Sequence, residues 1–325
     1  MKAAGTDQTQ QEPANGSPAA AALMLEAARL YYEQDQTQGE IALRLGTSRS
    51  TVSRLLRDAR RLGVVRITLD YQWARDKTLE AGLVSRFGLR EARVLQNPSY
   101  THEELLDGLG RLAADLVAGE VREGMILGVS YGHSIAATVA HLQPRERVRM
   151  TVVQIIGALG SADPRIEGSD LTRELALAFG GEYRYLFAPL MVESERARDV
   201  ILQEPLVRET IDLGRAADLV LIGIGSPSSV SFWSGYLSHY DLSKLRLKGA
   251  VGHMCAEFFD HDGKVLDIPI NKRSVSIGLE SLRAAKRVVA VAGGPEKADA
   301  IAAALRGGYI DVLVTDEFAA RSALG

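Results

Sequence analysis

From about residue 103 onward, the 325-residue chain alternates helical segments with short apolar runs. The runs are Met125–Val129, Val152–Ile156, Tyr183–Phe187, Leu219–Ile224, Val288–Ala292 and Ile310–Val314, and Gly-rich turns follow several of them. Runs of this length suit buried strands, and strand, glycine turn and helix in repetition build a mostly parallel sheet with helices on both faces. The expected fold of this part is therefore α/β and Rossmann-like. No sequence repeat of fixed period is present.

The first hundred residues follow a different rule. Residues 1–19 are rich in Gln, Ala, Pro, Gly and Thr; they bury too little apolar surface to offset ordering entropy and are expected to be a disordered tail. A helix is expected from near Ala20, with Leu23, Ala27, Leu30 and Tyr31 at helical spacing. Thr37-Gln38-Gly39-Glu40 is a T-x-x-E capping box, in which Thr37 accepts from the Glu40 amide and Glu40 reaches back to Thr37. It opens a short helix with Ile41, Ala42 and Leu45 on one face, which Gly46 breaks. Ser48 caps a longer helix with Val52, Leu55, Leu56, Ala59 and Leu62 on one side. Gly63 stops it, and Val64–Leu69 alternates like a strand. The expected organisation is a tail (1–19), a small all-α helix-turn-helix domain (20–70), a connector (71–100) with a helix near Leu79–Phe87, and an α/β effector domain (101–325).

A capped short helix, a glycine turn and a Ser-capped longer helix is the layout of a DNA-reading unit. Ser48, Arg49, Ser50, Thr51, Ser53 and Arg54 stand at the start and outer face of the second helix, with Arg57, Arg60 and Arg61 continuing the stripe. Hydroxyls suit phosphates, and arginines suit guanine edges or phosphates, so this helix is expected in the major groove, supported by Thr37 and Gln38. The alternative for a basic helix face is simple solvation; the preceding capped helix and turn favour DNA. Seven arginines against Glu40 and Asp58 between Thr37 and Arg66 make this segment locally basic, while the whole chain carries a net charge of −3. The remainder is net acidic, which argues against a protein that coats nucleic acid along its whole surface. A single cysteine, Cys255, excludes a disulfide framework. No run approaches the ~20 apolar residues of a membrane helix, and the polar N-terminus lacks signal-peptide order, so no membrane association and a cytoplasmic location are expected.

The segment TQGEIALRLGTSRSTVSRLLRDARRLGVVRI, beginning at Thr37, resembles the DNA-binding end of the SorC family of bacterial sugar-responsive regulators, some of which are called DeoR. GAVGHMCAEFFDHDGKV and VAVAGGPEKADAIAAALRGGYIDVLVTDE extend the resemblance to the other end. The resemblance implies an effector domain similar to sugar-phosphate isomerases and deaminases, assembly into a homodimer or homotetramer on operator DNA, and response to phosphorylated sugars.

Three turns are candidates for the effector site. Gly128-Val129-Ser130-Tyr131-Gly132-His133-Ser134 follows a strand and opens a helix, where backbone amides and the helix dipole favour an anion. In the resembled family a Trp and an Arg or similar residue usually stand where Tyr131 and His133 are. The same turn spells G-x-S-x-G, the nucleophile elbow, for which Asp218 with His253 or His261 are conceivable partners; the DNA-binding unit and the family resemblance weigh against an esterase. Ala292-Gly293-Gly294-Pro295-Glu296-Lys297 opens a second helix and places Lys297 near its amides, either to meet a phosphate or hydroxyl or as a solvated lysine. In Gly249-Ala250-Val251-Gly252-His253, the resembled family usually has an acidic residue where His253 stands. Gln154, Gly157 and Asp316, at strand ends, are weaker candidates, since ligands of open α/β sheets bind outside the carboxyl ends of strands.

His253, Cys255 and Glu257 would share one face of a strand, with Asp260 and His261 nearby. The metal-ligand spacings CxxC and HExxH are absent, so neither a metal nor a cofactor is expected. Trp233 and Tyr236, in the Ser/Gly-rich stretch 225–238, read as a mobile loop or lid, or as core or interface aromatics. The expected function is a DNA-binding regulator, by default a repressor, of carbohydrate genes, with a sugar phosphate, sugar or polyol as effector. The alternative is an active sugar-phosphate isomerase or deaminase, with Asp316 or Glu317 pressed into service as base.

Overall fold

The computed structural model describes residues 18–65, 74–96, 101–144, 146–160, 163–227, 237 and 239–325. Residues 1–17 of the expected tail, the strand expected within Val64–Leu69 from Arg66 onward, parts of the connector, and Trp233 and Tyr236 lie outside the described residues. The chain divides into two compact units at Gln72/Trp73.

The N-terminal unit holds α1 (Pro18–Tyr32), α2 (Gln38–Arg44) and α3 (Arg49–Arg61). Its core is a small set of side chains: Ala27, Ala28 and Leu30 from α1, Ile41 and Ala42 from α2, and Val52, Leu56 and Ala59 from α3. The spacing of the last three is the i, i+4, i+7 stripe of an amphipathic helix. Leu62, expected on that stripe, is the C-cap residue of α3 and is 60% exposed, because the helix has ended before its side chain can turn inward.

In the second unit, α4 (Lys77–Phe87) and β1 (Glu91–Leu95) precede α5 (His102–Glu120), β2 (Ile126–Val129), α6 (His133–Ala140), β3 (Thr151–Gln154), α7 (Gly168–Phe179) and β4 (Glu182–Arg184). Then come α8 (Glu195–Gln203), α9 (Pro205–Arg215), β5 (Leu219–Gly223), α10 (His239–Leu247), the hairpin β6 (Gly252–Met254) and β7 (Glu257–Phe259), α11 (Leu279–Ala284), β8 (Val288–Val291), α12 (Ala298–Arg306), β9 (Val312–Asp316) and α13 (Glu317–Leu324). Seven strands form one sheet in the order β1-β9-β8-β5-β2-β3-β4, and every pair in it is parallel. The expected α/β fold is therefore present. The connector is corrected in part: Glu91–Leu95 pairs with Val312–Asp316 as an edge strand, so it belongs to the sheet.

Alternate residues of the central strands feed opposite faces, as the pleat requires. Leu219, Leu221, Val289, Val291, Val312 and Val314 pack with α5, α6 and α7, whereas Val220, Ile222, Val288, Ala290 and Leu313 pack toward α12 and α13. Gly110 of α5 lets that helix press against α6; a Cβ there would lie 2.6 Å from the Ala137 carbonyl, so no larger residue fits.

The strand order locates the binding crevice. From β2 the chain winds outward through β3 to β4, then returns to the other side of β2 with β5 and winds away through β8. The turns leaving β2 and β5 therefore diverge to opposite sides, which opens a crevice at the carboxyl ends of these neighbours.

Candidate functional site

In the N-terminal unit, Thr37 accepts from the Glu40 amide, and the Glu40 carboxylate accepts from the Thr37 amide (2.8 Å) and hydroxyl (2.8 Å). These bonds hold the Glu40 carboxyl below the usual carboxylate range. Ser48 caps α3 by accepting from the Thr51 amide at 3.1 Å, and its hydroxyl also bonds those of Ser50 (2.8 Å) and Thr51 (2.9 Å). Ser48 therefore orients the helix start and pre-positions Ser50 and Thr51. Arg49, Ser50, Ser53, Arg54, Arg57, Arg60 and Arg61 are exposed, and Thr51 and Gln38 half-buried, while Val52, Leu56 and Ala59 point inward. One face of α3 is thus apolar and anchored, and the other is basic and open.

In the second unit, a cavity of about 320 Å³ sits at the β2–β5 crevice, at the lower end of the range for small-molecule sites. Seven expected residues meet on its wall: Ser130, Tyr131, Gly132, His133, Ser134, His253 and Lys297. Two helical starts flank it. Gly132 is the N-cap of α6 at φ 110°, and Gly294 precedes the turn Pro295–Lys297 at φ 97°; neither start has a side-chain cap bond. Both φ values suit glycine; at α6 the uncapped amides retain their attraction for an anion, whereas at the second turn Pro295 has no N–H and Gly294 N is bonded to the Asp316 carboxylate.

Lys297 is half-buried, and its ammonium makes no hydrogen bond or ion pair among the described residues. Burial pulls its pKa below the ordinary lysine value, opposed in part by neighbouring Glu296. Its charge reaches both histidines. His133 is held below the usual imidazole value by burial, then by Lys297 and His102. His253, fully buried, falls to about 3, first through burial and then through Lys297.

His253 is fixed from several sides. Its backbone donates to Gly225 O (2.9 Å) and accepts from Gly225 N (3.0 Å), and its ring lies 5.1 Å from that of Phe258. A Cβ at Gly225 would fall 2.0 Å from His253 Nε2, so this imidazole exists in its place because residue 225 is glycine.

Several expected ligands do other work. Ser134 lies on the wall, but its hydroxyl donates to Val291 O (2.8 Å). Gln154 donates to Ile156 O (2.9 Å) and accepts from Leu186 N (3.3 Å). Asp316 accepts from Gly294 N (2.9 Å) and caps α13 through Phe318 N (3.2 Å), so it shapes the second turn. Gly128 and Gly157 are sites of close packing, where a Cβ would lie 2.8 Å from Ile155 Cγ2 and 2.4 Å from Pro189 O. Gly293 is likewise tight, with a Cβ landing 2.8 Å from Asp316 Oδ1. None of these five residues lines the cavity.

The nucleophile elbow is not assembled. Asp218 accepts from Ile126 N (2.9 Å) and pairs with Lys286 (2.6 Å) at the amino end of the sheet, opposite Ser130. His261 is engaged by Arg306 (2.8 Å). The shared strand face for His253, Cys255 and Glu257 is also corrected. His253 pairs across the hairpin with Phe258, and Cys255 and Ala256 form its tip at φ 50° and 59°. Glu257 lies on the returning strand and accepts from Leu279 N (2.9 Å).

Residues 71–325 match the "Putative sugar-binding domain" family, and residues 28–62 match sigma-70 region 4. The chain is 32% identical to the deoxyribonucleoside regulator of Bacillus subtilis over 302 residues, covering 92% of this chain and 96% of that one. It is 33% identical to the sorbitol operon regulator of Klebsiella pneumoniae over 298 residues, covering 90% and 95%. The crystal structure of full-length SorC from Klebsiella pneumoniae superposes with a TM-score of 0.71 at 31% identity, covering 95% of this chain and all of that one. The chain belongs to the SorC family of sugar-responsive transcriptional regulators.

It is thus a DNA-binding transcriptional regulator with a sugar-binding domain. Sequence reasoning missed part of this SorC-family cavity. His102 and Leu106 of α5, Ile156, Ile166, the segment Ile222–Gly225, Met254, Cys255 and Glu296 complete the wall. Gly223-Ile224-Gly225 ends a strand as the recognised turns do and was open to the same rule. His102 carries no local signal, because it reaches the cavity only through the packing of α5. Among the described residues, no helix is long and apolar enough to cross a membrane.

Proposed function

We propose that this regulator is a repressor of carbohydrate genes. Its exposed α3 face (Arg49, Ser50, Ser53, Arg54 and Arg57) enters the operator major groove, and a phosphorylated sugar-class metabolite bound at the β2–β5 crevice changes operator affinity. The observation that carries the effector reading is Lys297, a crowded ammonium with no described partner that shares the cavity wall with the uncapped start of α6. A buried cation is costly unless it is paired. A phosphate ester would supply the pair, with the amides of α6 donating to its remaining oxygens and Ser130, Tyr131, His133 or His253 meeting the carbon body.

Binding without turnover is the favoured outcome. Asp316 is spent on two backbone amides, Glu317 pairs with Arg321 (3.7 Å), and the acid lining the cavity, Glu296, is exposed. Among the described residues, no well-placed carboxylate base stands ready for an isomerase or deaminase step. We further propose a cytoplasmic homodimer or homotetramer, since two reading helices on paired half-sites need at least two copies.

Thermal shift against sugars and their phosphate esters tests this reading. A phosphate ester at about 100 times its Kd adds ~2.7 kcal/mol of stability, and Lys297→Ala removes the effect while sparing effector-free DNA binding. Stabilisation by parent sugars alone, or an unchanged response of the variant, refutes the anion reading.

A further inference from the structure

The cavity holds a second message besides its charge. Its wall carries six large apolar side chains: Leu106, Ile156, Ile166, Ile222, Ile224 and Met254. Among the described residues that line it there is no Asp, Asn, Gln or Arg, and its one acid, Glu296, is exposed. A sugar hydroxyl both donates and accepts, and carboxylates and carboxamides are the side chains that bridge neighbouring hydroxyls with two atoms. This wall has no such group on its buried part.

The buried polar groups are largely committed within the protein. Three polar side chains on the wall are less than a tenth exposed: Ser130, Ser134 and His253. Ser134 spends its hydrogen on Val291 O, and Ser130 Oγ accepts from Gly223 N at 3.3 Å. The surrounding backbone is similarly engaged: Ser130 N with Leu221 O (3.1 Å), Gly132 N with Ile166 O (3.2 Å), and Gly225 with His253 in both directions. Ser130 keeps its hydroxyl hydrogen, but the other hydrogen-bonding side chains stand on the less buried part of the wall, Tyr131 half-buried and His102 and His133 exposed, while Lys297 and the open start of α6 mark where an anion belongs. His253, held neutral by burial, adds no charge to the wall.

Resting on the anion reading above, we propose that the effector is a phosphate ester with a hydroxyl-poor carbon body, a deoxy-sugar phosphate rather than a polyol or fully hydroxylated sugar phosphate. Its phosphate meets Lys297 and the α6 amides, and its deoxygenated carbons lie on the isoleucine wall. A hydroxyl added at such a carbon loses water without gaining a partner.

The test is isothermal titration of the full chain with two matched pairs: 2-deoxyribose 5-phosphate against ribose 5-phosphate, and 2-deoxyglucose 6-phosphate against glucose 6-phosphate. Sorbitol 6-phosphate, inorganic phosphate, deoxyribose and ribose complete the set. The expected result is about tenfold tighter binding of the deoxy member in at least one pair, equal to ~1.4 kcal/mol, with sorbitol 6-phosphate weakest among the esters. Equal or tighter binding of the hydroxylated member in both pairs overturns the proposal, as does the absence of binding across the whole set. If the phosphate-free sugars bind and the esters do not, the anion reading fails by itself. The ratio of deoxyribose to ribose then decides the hydroxyl-poor wall independently.

Discussion

His253 links the cavity to the stability of the sheet unit in a way that can be measured by pH. In the unfolded chain an imidazole titrates near 6.5; in the folded protein burial and the Lys297 charge hold this one at about 3. Between those values the unfolded chain takes up a proton that the folded protein refuses, so folded stability falls as pH drops below 6.5 and the loss levels off near pH 3. Each pH step in that window is worth about 1.4 kcal/mol, so His253 alone removes about 2 kcal/mol between pH 7.5 and pH 5. His253→Gln keeps a polar planar side chain and abolishes the titration. Urea unfolding of both proteins at the two pH values isolates the effect, because Glu257, His133 and every other titrating group are common to both. The variant is expected to lose about 2 kcal/mol less than the parent over this interval, whatever its stability at pH 7.5. Parallel losses in the two proteins would refute a His253 held neutral by its surroundings.

Two further outcomes follow from particular contacts. Gly225→Ala places a Cβ within 2.0 Å of His253 Nε2; displacement of the ring is expected to cost ~1–3 kcal/mol of stability and to weaken effector binding at least tenfold by calorimetry, with effector-free operator binding retained. Arg49 and Arg54 together replaced by Ala are expected to abolish operator retention in gel shifts without changing the effector-induced thermal shift, and replacing Arg60 and Arg61 lowers the salt slope of operator binding by about 2 if both meet phosphates; unchanged shifts would remove α3 from the groove.

The parts legible in the sequence were those written in local chemistry. The Thr37–Glu40 capping box and the Ser48 cap are bonds between residues three apart, and both stand as expected. Five of the six apolar runs became strands inside the sheet, because apolar content at nearly every position leaves a segment few places except the middle of a covered sheet; the sixth, Tyr183–Phe187, only overlaps β4, an edge strand exposed at all three of its positions. Glu91–Leu95 escaped notice because it is an edge strand with a charged residue at every second position of its first three, Glu91 and Arg93, so it reads as connector. The β6–β7 hairpin escaped because its tip is built from Cys255 and Ala256 in the left-handed region rather than from the glycine or asparagine that marks such turns.

The cavity divides along the same line, and the division explains which of the expected residues line it and which do not. Ser130, Gly132 and Lys297 were recognisable because a glycine turn between strand and helix creates an anion-friendly start wherever it occurs. Gln154 and Asp316 were attractive for being polar at strand ends, yet a polar side chain at the end of a buried strand must first satisfy its backbone neighbours; both do so, and neither lines the cavity. The isoleucines had no polar signature to attract attention, and His102, at the start of α5, had nothing local to tie it to the cavity. The wall they form can be seen only once β2, β5, α5 and the β6–β7 hairpin are brought together. Charge at this site was thus a local property of two turns, whereas selectivity is a tertiary property of the surfaces between them. The same asymmetry fixes what each substitution can reveal: Lys297→Ala probes whether an anion binds, and only changes along the apolar wall or in the ligand's own hydroxyls probe which one.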